Sequence, residues 1–403
     1  MGLIVQKFGG TSVASAERIV EVSKIIEGEL KNNNKVIVVV SAMAGVTSGL
    51  ITLCAELSSL NSDMNLIEYD AALCSGETVT ASLLALTLQE IGIKARSVFA
   101  WQLPILTNAS HSNAVVEMLN VTLIKECLYQ NIIPIIAGFQ GITKDNRLST
   151  LGRGGSDTTA SIVAASMEAD RCDIYTDVAG VFTADPRIIH NAKKINKISF
   201  EEMFELATSG AKVLHSRCVE LAMKYNINMR VLSSFSSEGG TLITSKDQIM
   251  ENRIITGITS NKNLLKLTVE SNSTLSFNDV CSLLSRNNIH IELMLNVDLD
   301  KKYNFIIHLS DRSRLEILMS NLKKDSRIID FSIDTAISIV TVVGFGIKND
   351  PELIGNVIDQ LALESIEISI IQISGIKISI LMSDKDIEKT IRILHNFFEL
   401  DKL

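Results

Sequence analysis

Residues 35–40 read Lys-Val-Ile-Val-Val-Val, five β-branched residues in succession with no polar residue between them. A strand with one wetted face alternates apolar and polar residues; a strand covered by helices on both faces does not. The run therefore predicts a central strand of a parallel sheet. Asn131-Ile-Ile-Pro-Ile-Ile-Ala-Gly138 reads as a second buried strand, Cys172-Asp-Ile-Tyr-Thr176 as a third and Met229-Arg-Val-Leu232 as a fourth. Helical spacing starts near Ser15, with Ile19, Val22, Ile26 and Leu30 on one face, and returns over Asp70 to Ile91. Strands alternating with helices predict an α/β fold, a mostly parallel central sheet with helices on both faces. Ligands of such sheets sit at the carboxyl ends of the strands. Gly9-Gly10, Ser41, Gly138-Phe139 and Thr176-Asp177 all fall at such ends.

One segment tests that reading. Val36 to Ala55 carries no charge and has about the length of a membrane span. Its centre holds Ser41, Gly45, Thr47, Ser48, Gly49 and Thr52, so it reads as a buried strand, a glycine loop and the start of a helix. No membrane association is expected. A chain of 403 residues makes two or three domains, and a hydrophobic fraction of 46% excludes wholesale disorder. The net charge of −8 argues against a nucleic-acid surface while leaving room for a local cationic pocket. Six scattered cysteines without a Cys-x-x-Cys pair fit reduced thiols in a cytoplasmic protein. The histidines form no metal-spaced pair, so no protein-built metal site is expected. Met1 to Phe8 lacks a signal-peptide layout, and Gln6 stands where a myristoylation signal after Gly2 needs Ser or Thr.

The texture changes after Ser236-Ser-Glu-Gly-Gly240. From about Ile254 short strands alternate with short helices. The strands are Leu264–Val269, Ile289–Val297 and Tyr303–Leu309, then Ile337–Val343, Ile366–Ile373 and Ile376–Leu381. The helices are Phe277–Arg286 and Arg314–Leu322, then Glu352–Leu363 and Asp386–Phe398. Two copies of a β-α-β-β-α unit form an internal repeat, suited to packing, to oligomerisation or to ligand sensing.

Four motifs carry chemistry. Arg147-Leu-Ser-Thr-Leu-Gly-Arg-Gly-Gly-Ser-Asp-Thr-Thr-Ala160 places Gly152, Gly154 and Gly155 before a helix that Ser156, Asp157, Thr158 and Thr159 can cap. A glycine turn opening a helix aims free N–H groups and a positive dipole end at an anion, and Arg153 adds a guanidinium suited to carboxylate or phosphate. Lys7 precedes Gly9-Gly10-Thr11-Ser12, where an ammonium can neutralise a transferring phosphoryl group; a plain exposed lysine before a turn reads the same way. The chain has no Walker A loop. Tyr175-Thr-Asp-Val-Ala-Gly-Val-Phe-Thr-Ala-Asp-Pro-Arg187 offers Asp177 to a ribose or a phosphate-bound water, Phe182 to a purine face and Arg187 to a phosphate, although its end is equally a simple turn. Glu77, in Ser75-Gly-Glu-Thr78, either complements a helix dipole or binds a substrate ammonium.

Together these pieces resemble the aspartokinase family, within the wider amino-acid-kinase fold. Lys7-Phe-Gly-Gly-Thr-Ser-Val13, Gly152-Arg-Gly-Gly-Ser-Asp-Thr-Thr159, Tyr175-Thr-Asp-Val178 with Val181-Phe-Thr-Ala-Asp-Pro-Arg187, and Gly210-Ala-Lys-Val-Leu214 occur in the family's order and approximate spacing. The resemblance covers essentially the whole chain. It implies an amino-acid-kinase domain over 1–245 and two ferredoxin-like ACT repeats over 254–335 and 336–403, in the style of the monofunctional bacterial enzymes. It implies transfer of the ATP γ-phosphoryl group to the β-carboxylate of L-aspartate, the first step toward lysine, threonine, methionine and diaminopimelate. Lys7 and Asp157 are then catalytic. Thr47, Glu77, Arg153, Gly154, Gly155 and Ser156 bind aspartate, with Arg153 on the α-carboxylate and Glu77 on the ammonium. Lys7, Gly9, Gly10, Ser12, Ser41, Thr176, Asp177, Phe182, Arg187 and Lys212 bind ATP, whose phosphates carry the Mg²⁺. An amino-acid effector, lysine and/or threonine, is implied at the ACT repeats, as is a homodimer or a dimer of dimers.

The chain departs from the family pattern in three places. Phe182 stands where many relatives have Tyr. Glu270-Ser-Asn-Ser-Thr-Leu-Ser276 lacks the Asp-x-Pro-Gly turn of the first repeat, and Gln372-Ile-Ser-Gly375 replaces the Thr-Ser-Glu of the second. The last two are loops that line effector pockets in the family. Met250 precedes the repeats, where some relatives start a separate small subunit. A kinase for glutamate or a carbamate shares the fold but lacks Lys7-Phe-Gly-Gly-Thr-Ser and the paired repeats. A non-catalytic sensor would be marked by loss of Lys7, Arg153 or Asp157, and all three are present.

Overall fold

A computed structural model describes residues 2–60, 62–248, 254–272, 275–297, 302–347 and 350–402. Met250 and, within the 270–276 loop, Ser273 and Thr274 lie outside the described residues. The chain divides into two compact units. The first is Met1–Phe182, Lys194–Thr208 and Lys212–Asn252; the second is Thr183–Lys193, Ser209–Ala211 and Arg253–Leu403.

The first unit is organised by an eight-stranded sheet. Its spatial order is Lys197–Ser199, Thr241–Thr244, Met229–Ser233, Arg171–Thr176, Leu3–Phe8, Lys35–Val40, Ile133–Ala137 and Ala95–Val98. The six strands from Met229–Ser233 to Ala95–Val98 run parallel; Thr241–Thr244 pairs antiparallel with Met229–Ser233. Val36 to Val40 are at most 1% exposed, which is what the unbroken β-branched run demands. Their side chains alternate between the faces. Val36, Val38 and Val40 join Phe8, Ile19, Val22, Ile26, Leu84 and Leu88 in one apolar cluster beneath the helices Ala16–Lys31 and Ser75–Glu90. The same alternation sends Phe8 into that cluster and Lys7 to the opposite face, where the helix Gly155–Ser166 packs. A small second sheet, Val116–Leu119, Ile105–Thr107, Gln140–Ile142 and Leu148–Thr150, flanks the first.

Val36 to Ala55 folds as read, into a strand ending at Val40, a loop and the helix Val46–Leu57. The helix expected over Asp70–Ile91 starts earlier, as Asp63–Leu73, and continues as Ser75–Glu90 after Cys74. By length and composition Asp63–Glu90 is apolar enough to cross a membrane; half of its apolar window is buried, with Leu84 and Leu88 in the sheet's core.

The second unit holds two antiparallel sheets of four strands. One is ordered Ile291–Val297, Lys302–His308, Leu264–Ser271, Ile328–Asp334; the other Gly257–Asn261, Ile337–Val343, Lys377–Ser383, Ile368–Ser374. Each is backed by two helices, Phe277–Arg286 with Arg312–Lys324, and Pro351–Leu363 with Ile387–Phe397. Sequence signals set the helix starts: Ser276 and Asp279 form a reciprocal capping box, and Asp350 caps a helix with Pro351 in its first turn. The repeat is thus seen, with one strand more per copy than the pattern showed. Gly257–Asn261 pairs with Ile337–Val343, so the second sheet takes a strand from ahead of the first. Both missed strands lack a clear apolar period: Ile328–Asp334 carries Asp330, Ser332 and Asp334, and Gly257–Asn261 buries little beyond Ile258.

Candidate active site

A cleft of about 570 Å³ opens at the carboxyl ends of the parallel strands in the first unit. Backbone bonds lock the loops around it: Ser41 N donates to Phe8 O (3.0 Å), Ala44 N to Gly10 O (3.1 Å) and Gly138 N to Val40 O (3.0 Å). Gly10 is required for this approach, since a Cβ there would stand 2.9 Å from Ala42 O. Lys7 lies one residue before the end of its strand and is 8% exposed. Its ammonium meets Asp157 Oδ1 at 2.5 Å, and that oxygen has no other partner among the described residues.

Asp157 is in the first turn of the helix Gly155–Ser166. The sequence suggested that Ser156 to Thr159 cap this helix. Instead Gly154 is the N-cap, with φ +68°, and no side chain caps the turn. Thr158 and Thr159 donate back to the carbonyls of Gly154 and Gly155. The glycine is needed twice over: its backbone is left-handed, and a Cβ would stand 2.3 Å from His215. An uncapped N-terminus beside a lysine leaves N–H groups and a positive field facing the cleft.

Glu77 stands against this cationic wall. It is 3% exposed, and its Oε1 accepts from Ala42 N at 3.1 Å. Its Oε2 is buried without a partner among the described residues. Burial pushes the carboxyl up to about 7, against the pull of the Ala42 amide and the Lys7 ammonium. An unpaired buried carboxylate is costly and calls for a donor that the protein itself does not supply. Arg153 also lines the cleft; it is exposed and has no ion-pair partner among the described residues. Ser41, Thr47, Gly154, Gly155 and Ser156 complete the expected residues found there.

The remaining expected residues do not line this cleft. Gly9 donates to Tyr175 O at 3.0 Å, and Ser12 is fully buried, its hydroxyl bonded to Ser234 Oγ at 2.8 Å. Thr176 ends its strand and bonds the exposed Asp177. Phe182 is half-buried, in a bridge to Lys194, and Lys212 is an exposed loop residue. Arg187 belongs to the second unit, through the segment Thr183–Lys193, and forks onto Asp185 with bonds of 3.0 and 2.6 Å.

Residues 2–233 match the amino acid kinase family and residues 340–398 match an ACT domain. The aspartokinase of Rickettsia felis is 57% identical over 99% of this chain and 100% of its own length. The chain belongs to the aspartokinase family. Its activity is therefore the ATP-dependent phosphorylation of aspartate. Among solved structures, E. coli aspartokinase III in complex with aspartate and ADP (R-state) is 25% identical and matches with a TM-score of 0.82, covering 98% of this chain and 99% of that one. The same enzyme in complex with lysine and aspartate (T-state) matches with a TM-score of 0.75 over the same shares.

For an aspartokinase the cleft also holds residues that its motifs did not assign. Tyr69, Ser112, Phe139 and Thr150 line it. Phe139 and Ser112 are left-handed, with φ +68° and +67°, a cost that backbone at a site bears when its surroundings enforce it. Thr150 lies inside the glycine-rich stretch, which is its signal; Tyr69 and Ser112 carry no local signal. His215, packed on Gly154, is held below its ordinary pKa by burial, despite Asp157 nearby.

Proposed function

We propose that this chain moves the γ-phosphoryl group of ATP onto the β-carboxylate of L-aspartate, giving 4-phospho-L-aspartate, in the cleft between Glu77, Arg153 and Lys7. One observation carries the substrate reading: among the described residues the cleft holds a buried carboxylate whose Oε2 has no partner and a guanidinium without an ion-pair partner. An α-amino acid offers the matching ammonium and α-carboxylate. Glu77 takes the ammonium and Arg153 the α-carboxylate, while Thr47 and the Gly154-Gly155-Ser156 turn hold the chain of the ligand. That the E. coli enzyme was solved in complex with aspartate and ADP supports an amino acid and a nucleotide as the ligands.

A β-carboxylate is already ionised at neutral pH, so its attack on phosphorus needs no general base. One oxygen–phosphorus bond forms, the bond from the γ-phosphorus to the β–γ bridging oxygen breaks, and ADP leaves. The obstacle is repulsion between two anions, and the remedy is positioning and positive potential. Lys7 supplies that potential, and Asp157 aims it as an ion-pair partner rather than as a base. Mg²⁺, bound to the nucleotide phosphates, supplies further charge neutralisation when present. Gly9, Gly10, Ser12 and Ser41 are the phosphate positions of this reading, and Thr176, Asp177, Phe182 and Lys212 its further nucleotide positions.

The two sheets of the second unit are the place for an amino-acid effector, lysine and/or threonine, and for pairing into a homodimer or a dimer of dimers. That the E. coli enzyme was solved in complex with lysine supports an amino-acid effector. A hydroxamate assay with ATP and Mg²⁺ tests the whole: product is expected with L-aspartate and not with L-glutamate, and added lysine or threonine reads the effector. Product from glutamate at an equal rate overturns the substrate reading.

A further inference from the structure

We propose that Asp70 is a positioning residue for the aspartate subsite, holding in register the wall that presents Arg153. Asp70 lies in the last turn of the helix Asp63–Leu73 and is 0% exposed. Its carboxylate accepts from Thr150 Oγ1 at 2.6 Å and Thr150 N at 3.1 Å, and from Ser112 N at 3.0 Å. It also bonds His111 Nδ1 at 2.8 Å. One buried group thereby ties three segments far apart in sequence, each bond charge-assisted in a site screened from water.

The two residues it grips, Ser112 and Thr150, both line the cleft. Ser112 is the left-handed residue of its loop, a conformation the Asp70 carboxylate fixes through the Ser112 amide. That loop abuts the residue preceding Arg153: a Cβ on Gly152 would stand 2.6 Å from Asn113 Oδ1 and 3.3 Å from Ser112 O. Gly152 itself has φ +74°. Support thus reaches the backbone leading into Arg153 twice, at Thr150 through Asp70 and at Gly152 through the 112–113 loop. The Arg153 side chain is exposed and has no partner among the described residues, so what the wall fixes is its starting point, the Cα and the direction of the Cα–Cβ bond. Displacing such a wall by about 1 Å is enough to cost on the order of 10²-fold in a reaction.

This inference rests on the reading of Arg153 as the α-carboxylate grip, and the test separates the two. Steady-state constants for both substrates and a melting curve are measured for Asp70→Asn, Thr150→Val, Thr150→Ser, the double variant D70N/T150V and, as reference, Arg153→Ala. Asp70→Asn and Thr150→Val are expected to raise KM for aspartate by about tenfold with KM for ATP little changed. Thr150→Ser restores the hydroxyl and with it the aspartate KM, and the double variant is no worse than the worse single one. A folded Asp70→Asn with normal aspartate KM overturns the proposal, as does a parallel rise in both KM values. If Asp70→Asn does not fold, the comparison of Thr150→Val with Thr150→Ser decides, and equal behaviour overturns it. An unchanged aspartate KM in Arg153→Ala defeats the grip reading instead.

Discussion

Glu77 and Lys7 are almost closed off from water, the one accepting from a backbone amide and the other paired to Asp157. Asp177, Arg187 and Lys212 are exposed, and Arg187 is already forked onto Asp185. Glu77 and Lys7 are thus buried and fixed in advance, whereas Asp177, Arg187 and Lys212, like Arg153, are wet. The difference is one of setting: a charge held in a dry place acts at full strength, and one that faces water is screened. Substitutions on the dry side are therefore expected to cost far more than those on the wet side.

Lys7→Ala is the strongest test. In the proposed reaction its ammonium acts mainly in the transition state, so kcat is expected to fall by about 10³-fold, and because the substitution strands Asp157 the melting temperature is expected to fall as well while the chain still folds. Turnover near the unmodified rate removes Lys7 from the chemistry and erases the contrast at its sharpest point. Arg153→Ala comes next. Loss of a charge-assisted pair to the α-carboxylate is expected to raise KM for aspartate by about 10- to 100-fold, with kcat less affected. Steady-state kinetics over a wide aspartate range check both.

Glu77 gives a pH signature. Burial raises its carboxyl to about 7 in the folded chain, above the ordinary carboxylate range that holds when unfolded. Folding therefore takes up a proton between those values. The stability this contributes is complete at low pH and is lost as pH rises through about 7. Aspartate affinity runs the other way, because only the ionised form grips an ammonium. Between about pH 6 and 8 the free protein is expected to lose stability while KM for aspartate falls. Glu77→Gln flattens both slopes, weakens aspartate binding and melts above the parent protein at the alkaline end. Parallel slopes in parent and variant would show that some other group titrates.

Burial and close approach that neighbouring residues set were legible in the sequence. Val36–Val40 shows its burial in its composition, and the glycines at 152, 154 and 155 show close backbone approach. Both signals are local. Glu77 was legible as a carboxylate opening a helix and able to bind an ammonium, whereas its anchoring depends on Ala42, brought to Oε1 by the fold. The Asp70 node was invisible, because its partners at 111, 112 and 150 are separated by whole elements. Capping at 156–159 was misread since Gly154 had already turned the chain. In the second unit Phe277–Arg286 announced itself by its capping box, whereas Gly257–Asn261 is a strand only because Ile337–Val343 lies alongside it. Tertiary pairing of that kind leaves no period to read.

Lys212→Ala is expected to have the smallest effect, and it sharpens the comparison most directly. The side chain is exposed, so its attraction for a polyphosphate acts across water and competes with dissolved ions. Its loss should raise KM for ATP by about two- to fivefold, the scale of exposed charge pairs. That increment should shrink as salt approaches about 0.5 M, since screening then falls well inside the separation of exposed charges. The Lys7 defect should not shrink with salt, because no ion enters a pair that is nearly sealed from solvent. Measuring KM for ATP in both variants along one salt series separates the cases. A large, salt-insensitive loss at Lys212 would place its ammonium in a dry contact on the bound nucleotide, and this exposed residue would then obey the same rule as the buried ones.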